Sequence, residues 1–251
     1  MPVDSIIFIV IGAALGGLVN GLAGFGTGLF ALVWWLQVLP PATAVALVVV
    51  SSFVGGLQGV FTLKQAPNWF RLGRFIIPAM IGLPFGYYLL DYINAVILKL
   101  LVGILLSLFG SFFILRPRFQ LWRHDRKSFD MIIGFFGGLL GVIAGLSGAL
   151  PTIWASLHNW GKNEQRAVIQ SYNVFVLGIV MTLFALQGSL DQELWIAVGI
   201  AFPSTLVSAR LGLYAFRRMS EAQYRQVLIW LMLGSGAILL VKELIIAQWL
   251  M

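Results

Sequence analysis

Hydrophobic residues fill most of this chain, in stretches long enough to cross a lipid bilayer as helices. Alternation of polar and apolar residues, the mark of a strand, is absent from the sequence, and each segment is far more hydrophobic than a membrane β-barrel strand. Helices are therefore the expected spanning elements. The apolar segments fall at about 5–38, 41–63, 72–90, 95–115, 129–158, 165–187, 192–214 and 222–249.

Two of these segments are interrupted by glycine-rich stretches of similar sequence. The first stretch is Gly24-Phe25-Gly26-Thr27-Gly28, and the second is Gly145-Leu146-Ser147-Gly148. Helices that break at matching places in two halves of a membrane protein usually mark the substrate site. We predict that each stretch ends one helix and begins the next inside the membrane.

The two halves of the chain also match along their length. Glycines recur in the same order at offsets of 121 to 126 residues, in the pairs Gly16 and Gly137, Gly24 and Gly145, Gly55 and Gly178, Gly86 and Gly212, and Gly110 and Gly236. The shared order indicates a duplicated unit of about 125 residues. Repeat one is predicted at about 1–127 and repeat two at about 128–251, within a single membrane domain.

The distribution of Lys and Arg distinguishes two topologies, because cytoplasmic loops of membrane proteins are enriched in these residues. If all eight segments cross the membrane, eight basic residues lie on one side and six on the other. If segments 5–38 and 129–158 are re-entrant hairpins, those fourteen residues share one side, and only Lys99 and Lys242 lie opposite. The second topology is therefore favoured, and it places both termini outside the cytoplasm.

The predicted fold is an all-α integral membrane protein built from two inverted repeats. Each repeat is a glycine-broken re-entrant helical hairpin followed by three transmembrane helices. The first limb of the first hairpin, 5–20, would be about 24 Å long as a helix, so its turn is expected deep in the membrane. The expected location is the inner (plasma) membrane, with multiple crossings of the lipid bilayer.

Composition agrees with this fold and excludes several function classes. Sixty per cent of the 251 residues are hydrophobic and ten per cent are charged, against about 25% charged in soluble domains. The chain has no cysteine, which excludes disulfides and thiolate metal sites. The net charge of +7 is assigned to cytoplasmic loops, because no nucleic-acid-binding fold accompanies the short basic stretches. No catalytic triad, metal-binding helix or nucleotide loop appears, so neither an enzyme nor a metal or cofactor site is predicted.

The two breaks form the predicted substrate site. Backbone N–H groups and the positive end of the helix dipole at the start of each following half-helix favour an anion. Serines, glutamine and asparagine on the next apolar segments add hydroxyls and amides, which are costly inside a membrane unless a partner or water meets them. The predicted substrate-binding residues are Gly24, Phe25, Gly26, Thr27, Gly28, Ser51, Ser52, Gly145, Leu146, Ser147, Gly148, Gln170, Ser171 and Asn173.

Other polar and small residues are given structural interpretations. Gly16, Gly17, Gly137 and Gly138 are interpreted as sites of close helix crossing. Every Asp and Glu falls at or near the end of an apolar segment, which disfavours a buried acidic proton relay. Backbone carbonyl oxygens at the breaks are able to bind Na⁺, so Na⁺ remains open as a coupling ion.

In its two glycine-rich breaks and its duplication, the chain resembles the TauE/SafE family of membrane permeases. The resemblance covers essentially the whole chain, and it implies transport of sulfur-containing anions such as sulfite or sulfoacetate. An alanine-rich stretch followed by Thr-Ser is frequent in the second helix of each half in that family. Gln170-Ser171 occupies that place in the second half here, and Ala46-Leu47 replaces it in the first, so an asymmetric site is expected.

Three functions remain open at this point. The favoured one is a transporter of small anions that works by alternating access. A facilitative anion channel would use the same residues without alternating access. A membrane scaffold without substrate would have a tightly packed interior, whereas the polar cluster at 170–173 predicts a wet cavity.

Overall fold

A computed structural model describes residues 2–63, 65–90, 92–115, 127–158, 160–188 and 190–220, together with positions 223, 226, 227 and 230. The regular secondary structure of these residues is helical throughout. In chain order the helices are α1 (Val3–Ala23), α2 (Thr27–Trp35), α3 (Pro41–Phe61), α4 (Trp69–Leu90), α5 (Ala95–Leu115), α6 (Lys127–Ala144), α7 (Ala149–Ser156), α8 (Lys162–Leu186) and α9 (Gln192–Arg218). The last predicted segment, 222–249, and Gly236 lie almost entirely outside the described residues.

Within the described residues, 6 helices have the length and apolar composition needed to cross a membrane, namely α1, α3, α4, α6, α8 and α9. Their outward faces carry large exposed apolar side chains, such as Ile81 on α4 and Val207 on α9. A water-soluble protein would bury such residues, whereas lipid solvates them. These helices fit a chain that passes through the membrane several times.

The interruptions predicted at 24–28 and 145–148 are both present. Helix α1 ends where Gly24 adopts φ +81° and donates its N–H to the Asn20 carbonyl oxygen over 2.7 Å. Gly26 follows with φ +100°, and Gly145 ends α6 with φ +66°. A side chain is strained in this left-handed region, so glycine at these three positions lets the chain turn at the helix end.

Each broken segment folds back as a pair of antiparallel helices. In the first pair, the Trp35 indole at the end of α2 donates to the Ile9 carbonyl oxygen near the start of α1, over 3.0 Å. In the second pair, the Trp154 indole in α7 donates to Asp130 at the start of α6, over 2.6 Å. The short helices α2 and α7 therefore lie alongside the longer helices that precede them.

Close helix crossings join the two halves of the chain. Helix α1 packs against α9, where a Cβ on Gly212 would lie 2.1 Å from the Leu18 carbonyl oxygen. Helix α6 packs against α4 in the corresponding way, where a Cβ on Gly86 would lie 2.6 Å from the Leu139 carbonyl oxygen. Both pairs run parallel. Gly17 against Thr205 and Gly138 against Ala79 extend these crossings, as the close-packing interpretation of Gly17 and Gly138 predicts.

Helices α3 and α8 cross antiparallel at the centre of the molecule. A Cβ on Gly178 would lie 3.0 Å from the Phe53 ring, and a Cβ on Gly56 would lie 2.6 Å from Val174. The buried core continues on both sides of this crossing, through Trp35 and Leu47 in one half and Tyr172 in the other. The crossing brings the polar residues of α8 next to both helix breaks.

Candidate functional site

The two helix breaks lie against each other. A Cβ on Gly28 would be 2.6 Å from the Ala144 carbonyl oxygen, and a Cβ on Gly148 would be 2.6 Å from the Cβ of Phe25. All residues at 24–28 and 145–148 are buried. Because α2 starts at Thr27 and α7 starts at Ala149, the N-termini of these two half-helices meet at the same place.

Asn20 organises the first break by connecting three helices. Its Nδ2 donates to the Thr27 hydroxyl on α2 over 3.0 Å and to the Ser52 carbonyl oxygen on α3 over 3.2 Å. All three side chains are buried. The N-cap of α2 is Gly26, which has no side chain to cap the N–H groups of the first turn. These N–H groups therefore offer a polar surface to a ligand at the break.

Asn173 on α8 contacts both breaks. Its Nδ2 lies 3.5 Å from the Gly24 carbonyl oxygen in the first break, and its Oδ1 accepts the Ser147 hydroxyl of the second break over 2.5 Å. One turn earlier, Gln170 packs against Gly24 and donates from Nε2 to the Gly56 carbonyl oxygen over 3.0 Å. The sequence analysis predicts both α8 residues as substrate-binding residues, and the fold brings both of them next to the helix breaks.

Several buried polar atoms around the first break have no hydrogen-bond partner among the described residues. They are Asn20 Oδ1, Ser52 Oγ and Gln170 Oε1. An unpartnered polar atom inside a protein costs about 1–3 kcal/mol. Such a group of polar atoms is typical of a place that binds water or a polar ligand.

The second break differs from the first in the donors it offers. The Ala149 N–H is bonded to the Leu146 carbonyl oxygen and the Thr152 N–H to the Gly148 carbonyl oxygen, each over 3.1 Å. Pro151 has no N–H. The backbone of the second break therefore presents fewer donors than the symmetric prediction expected, and Ser147 is its main polar side chain.

The helices flanking the breaks are also unlike in the two halves. On α3 the apolar Val48 lies against Gly145, whereas on α8 the polar Gln170 lies against Gly24. This is the asymmetry expected from Ala46-Leu47 and Gln170-Ser171 in the sequence. Most of the polar side chains therefore surround the first break.

Two of the predicted site residues lie at the edge of this arrangement. Ser51 is buried on α3 next to Ser52, and Ser171 is half-buried on α8. In the part of the chain that the structure describes, neither side chain forms a hydrogen bond with a residue of the breaks. The helical repeat turns both of them away from the faces that carry Ser52, Gln170 and Asn173.

Arg166 was not among the predicted site residues, although it contacts the end of α1 directly. Its Nη1 donates to the Leu22 carbonyl oxygen over 2.7 Å and its Nη2 to the Gly21 carbonyl oxygen over 2.8 Å. The side chain is buried, and its guanidinium lies 4.4 Å from the Phe216 ring centroid. Arg166 precedes Gln170 by four residues on α8, so the two side chains lie on the same face of the helix. This spacing was the sequence signal that could have placed Arg166 beside Gln170.

Asp130 forms a second buried polar cluster, away from the breaks. It accepts hydrogen bonds from the Trp154 indole over 2.6 Å and from the Arg74 guanidinium over 3.2 Å. Asp130 lies in the first turn of α6, so it is an acidic residue at a segment end, as expected from the sequence. The contacts join α4, α6 and α7 and give this carboxylate a structural role.

Comparison with known proteins gives matches over nearly the whole chain. The model of the family described as sulfite exporter TauE/SafE matches residues 8–239. A relative from Cupriavidus necator, described as a probable sulfite/organosulfonate exporter TauE, is 27% identical over 236 residues, which cover 92% of this chain and 91% of the relative. No solved structure matches the chain significantly.

Proposed function

Because this chain belongs to the sulfite exporter TauE/SafE family, we propose that it is a multi-pass membrane transporter of small sulfur-containing anions, sulfite or organosulfonates. The description of the relative as a probable exporter and the six long apolar helices among the described residues support this proposal. The proposed location is the inner (plasma) membrane, with the Arg-rich ends of the helices in the cytoplasm. Transport is then outward, as the name of the family says.

The proposed substrate site lies between the two helix breaks. The observation that carries it is the meeting of the α2 and α7 N-termini within a group of buried polar side chains, namely Asn20, Thr27, Ser147, Gln170 and Asn173. Helix N-termini favour anions, because their N–H groups and dipoles present positive charge. In a low-dielectric interior these weak partial charges act more strongly than they do in water. Ser52 and the remaining predicted residues of the breaks are proposed to line the same site.

The proposed architecture is two inverted repeats, 1–127 and 128–251, each with a re-entrant hairpin. Three helix directions support the inversion. Helix α1 runs parallel to α3, since Asn20 contacts Ser52 and Trp35 lies near the starts of both helices. Helix α6 runs parallel to α8, since Gly134 and Gly141 lie near Tyr172 and Val176 respectively. Because α3 and α8 are antiparallel, α1 and α6 run in opposite directions.

The proposed transport cycle moves one half of the molecule against the other. Helix α1 of the first half packs on α9 of the second, and α6 packs on α4, so each hairpin is carried by helices of the other half. In this conformation, the close approach of Gly28 and Ala144 would block the proposed path of the substrate at the breaks. Separating these crossings on one side and then on the other would expose the site alternately.

The test is uptake of labelled sulfite and sulfoacetate into proteoliposomes that contain the purified protein. We expect saturable uptake and counterflow, which a channel does not show. Gly26→Leu and Ser147→Leu should abolish uptake, because each fills space at a break. Gly199→Leu is the matched control, since nothing lies within 4 Å of a Cβ placed there. Uptake of neither anion above empty liposomes, or normal uptake by both break variants, would contradict the proposal.

A further inference from the structure

We propose that a small cavity beside Arg166 is a second binding site for the substrate anion, which holds it before it reaches the helix breaks. We call this cavity the vestibule. It lies between the ends of α3, α8 and α9, and its lining includes Thr62, Asn163, Arg166, Leu213, Phe216 and Arg217. The inference rests on the proposed function, because it assigns the vestibule to the same class of substrate.

The vestibule carries two guanidinium groups. Arg166 is buried and Arg217 is exposed at the rim, where its Nη2 lies 3.4 Å from the Thr62 carbonyl oxygen. None of the described residues that line the cavity is acidic. Glu164, close to it along α8, is engaged in an ion pair with Arg71. The planar arginine fork matches the oxygens of a sulfonate or sulfite group as it matches a carboxylate or phosphate.

The first turn of α8 adds to this positive potential. Asn163 lies in that turn, directly after Lys162 and the N-cap Gly161. Gly161 provides no side-chain cap, so the first N–H groups of a 25-residue helix begin next to the cavity. The dipole of such a helix favours an anion at its N-terminus. Arginine charge and helix dipole therefore act in the same direction here.

The remaining wall of the vestibule is apolar and indicates the class of anion. Leu63, which follows α3, and Leu213 and Phe216 of α9 form it. The cavity measures about 60 Å³, which is room for about four to six water molecules. A sulfonate group with a short carbon chain has the charge, the apolar part and the size to replace those waters. The vestibule therefore favours a short organosulfonate over an inorganic anion, which has no apolar part.

Arg166 connects the vestibule to the first break. The same guanidinium that lines the cavity donates to the carbonyl oxygens of Gly21 and Leu22, in the last turn of α1. Gly24 ends that helix immediately afterwards. An anion that binds this guanidinium competes with the two carbonyl oxygens for its N–H groups. Arg166 is therefore a positioning residue for the break as well as a ligand of the vestibule.

The experiment compares Arg217→Gln with Arg218→Gln in the full-length protein. Both arginines are exposed and adjacent on α9, but Arg218 lies over the Tyr214 ring, 4.3 Å from its centroid, and does not line the vestibule. We expect Arg217→Gln to raise the KM for sulfoacetate about tenfold with Vmax unchanged, because a charge-assisted hydrogen bond is lost. Arg217→Lys should fall between wild type and Arg217→Gln, and Arg218→Gln should retain the wild-type KM.

A binding measurement separates this inference from the proposed function. Ethanesulfonate should raise the unfolding temperature of wild type and Arg218→Gln, and much less that of Arg217→Gln, whether or not transport is detected. If transport is absent and this difference is present, the vestibule stands and the proposed function fails. Equal KM values for the two variants, equal thermal shifts, or no shift of the wild-type protein would each overturn the vestibule.

Discussion

Arg71, in the first turn of α4, forms an ion pair with Glu164, in the first turn of α8. If all eight apolar segments crossed the membrane, these residues would lie on opposite sides of it. Their contact instead supports the topology in which both broken segments are hairpins. Arg217 at the end of α9 and Thr62 at the end of α3 are joined in the same region. The ends of α3, α4, α8 and α9 that carry these residues therefore lie together, which agrees with the topology that the distribution of Lys and Arg favours.

Cysteine labelling tests this topology, and the chain has no native cysteine that would interfere. Ala66→Cys and Gly161→Cys should react with a membrane-impermeant maleimide from the cytoplasmic side only. Tyr92→Cys and Gln187→Cys, at the opposite ends of α4 and α8, should react from the other side only. All four positions are exposed, so access to the thiol is decided by the membrane. Labelling of positions 66 and 161 from different sides would contradict the inverted arrangement.

Much of this fold could be predicted from the sequence, because the strongest signals are local. Gly24 and Gly145, with φ +81° and +66°, end α1 and α6, Gly26 with φ +100° precedes α2, and both breaks are visible in the sequence as glycine clusters. The polar residues Gln170 and Asn173 were conspicuous, because polar side chains in an apolar helix need partners.

Other features depend on distant contacts that no local pattern reveals. Arg166 binds carbonyl oxygens 144 and 145 residues away along the chain, so its place beside the first break follows only from the packing of α8 on α1. The burial of Asp130 depends likewise on Arg74 and Trp154 coming from separate helices. At the second break, backbone N–H groups are already hydrogen-bonded within the turn. The number of glycines does not determine this turn geometry, so the sequence did not reveal it.

The helix crossings predict a large difference between two glycine substitutions. Gly212→Val should destabilise the protein by about 1–3 kcal/mol or more, because its Cβ would lie 2.1 Å from a carbonyl oxygen of α1. Gly199→Ala on the same helix should change stability by less than about 1 kcal/mol, since its Cβ meets open space. Thermal unfolding in detergent measures both. Equal stability of the two variants would show that α1 and α9 do not approach this closely.

We expect the Asn173 side chain to be needed for transport, because it contacts both helix breaks. Asn173→Leu keeps the side-chain size but removes the contacts with Gly24 and Ser147, so uptake of sulfoacetate should fall at least about tenfold. Thr182→Val is the control, because Thr182 is exposed on the same helix and its hydroxyl bonds only to its own helix in the described structure. Monodispersity of both variants in detergent establishes that they fold. Equal uptake by Asn173→Leu and Thr182→Val would remove Asn173 from the site.

Locating a bound anion in a crystal would show whether the two helix breaks form the substrate site. Selenite has the shape and charge of sulfite, and its selenium atom gives an anomalous X-ray signal. In crystals of the protein grown with selenite, we expect an anomalous peak between residues 24–28 and 145–148, within hydrogen-bonding distance of the α2 N-terminus. Anomalous peaks only at places remote from both breaks, in crystals that have bound selenite, would contradict it.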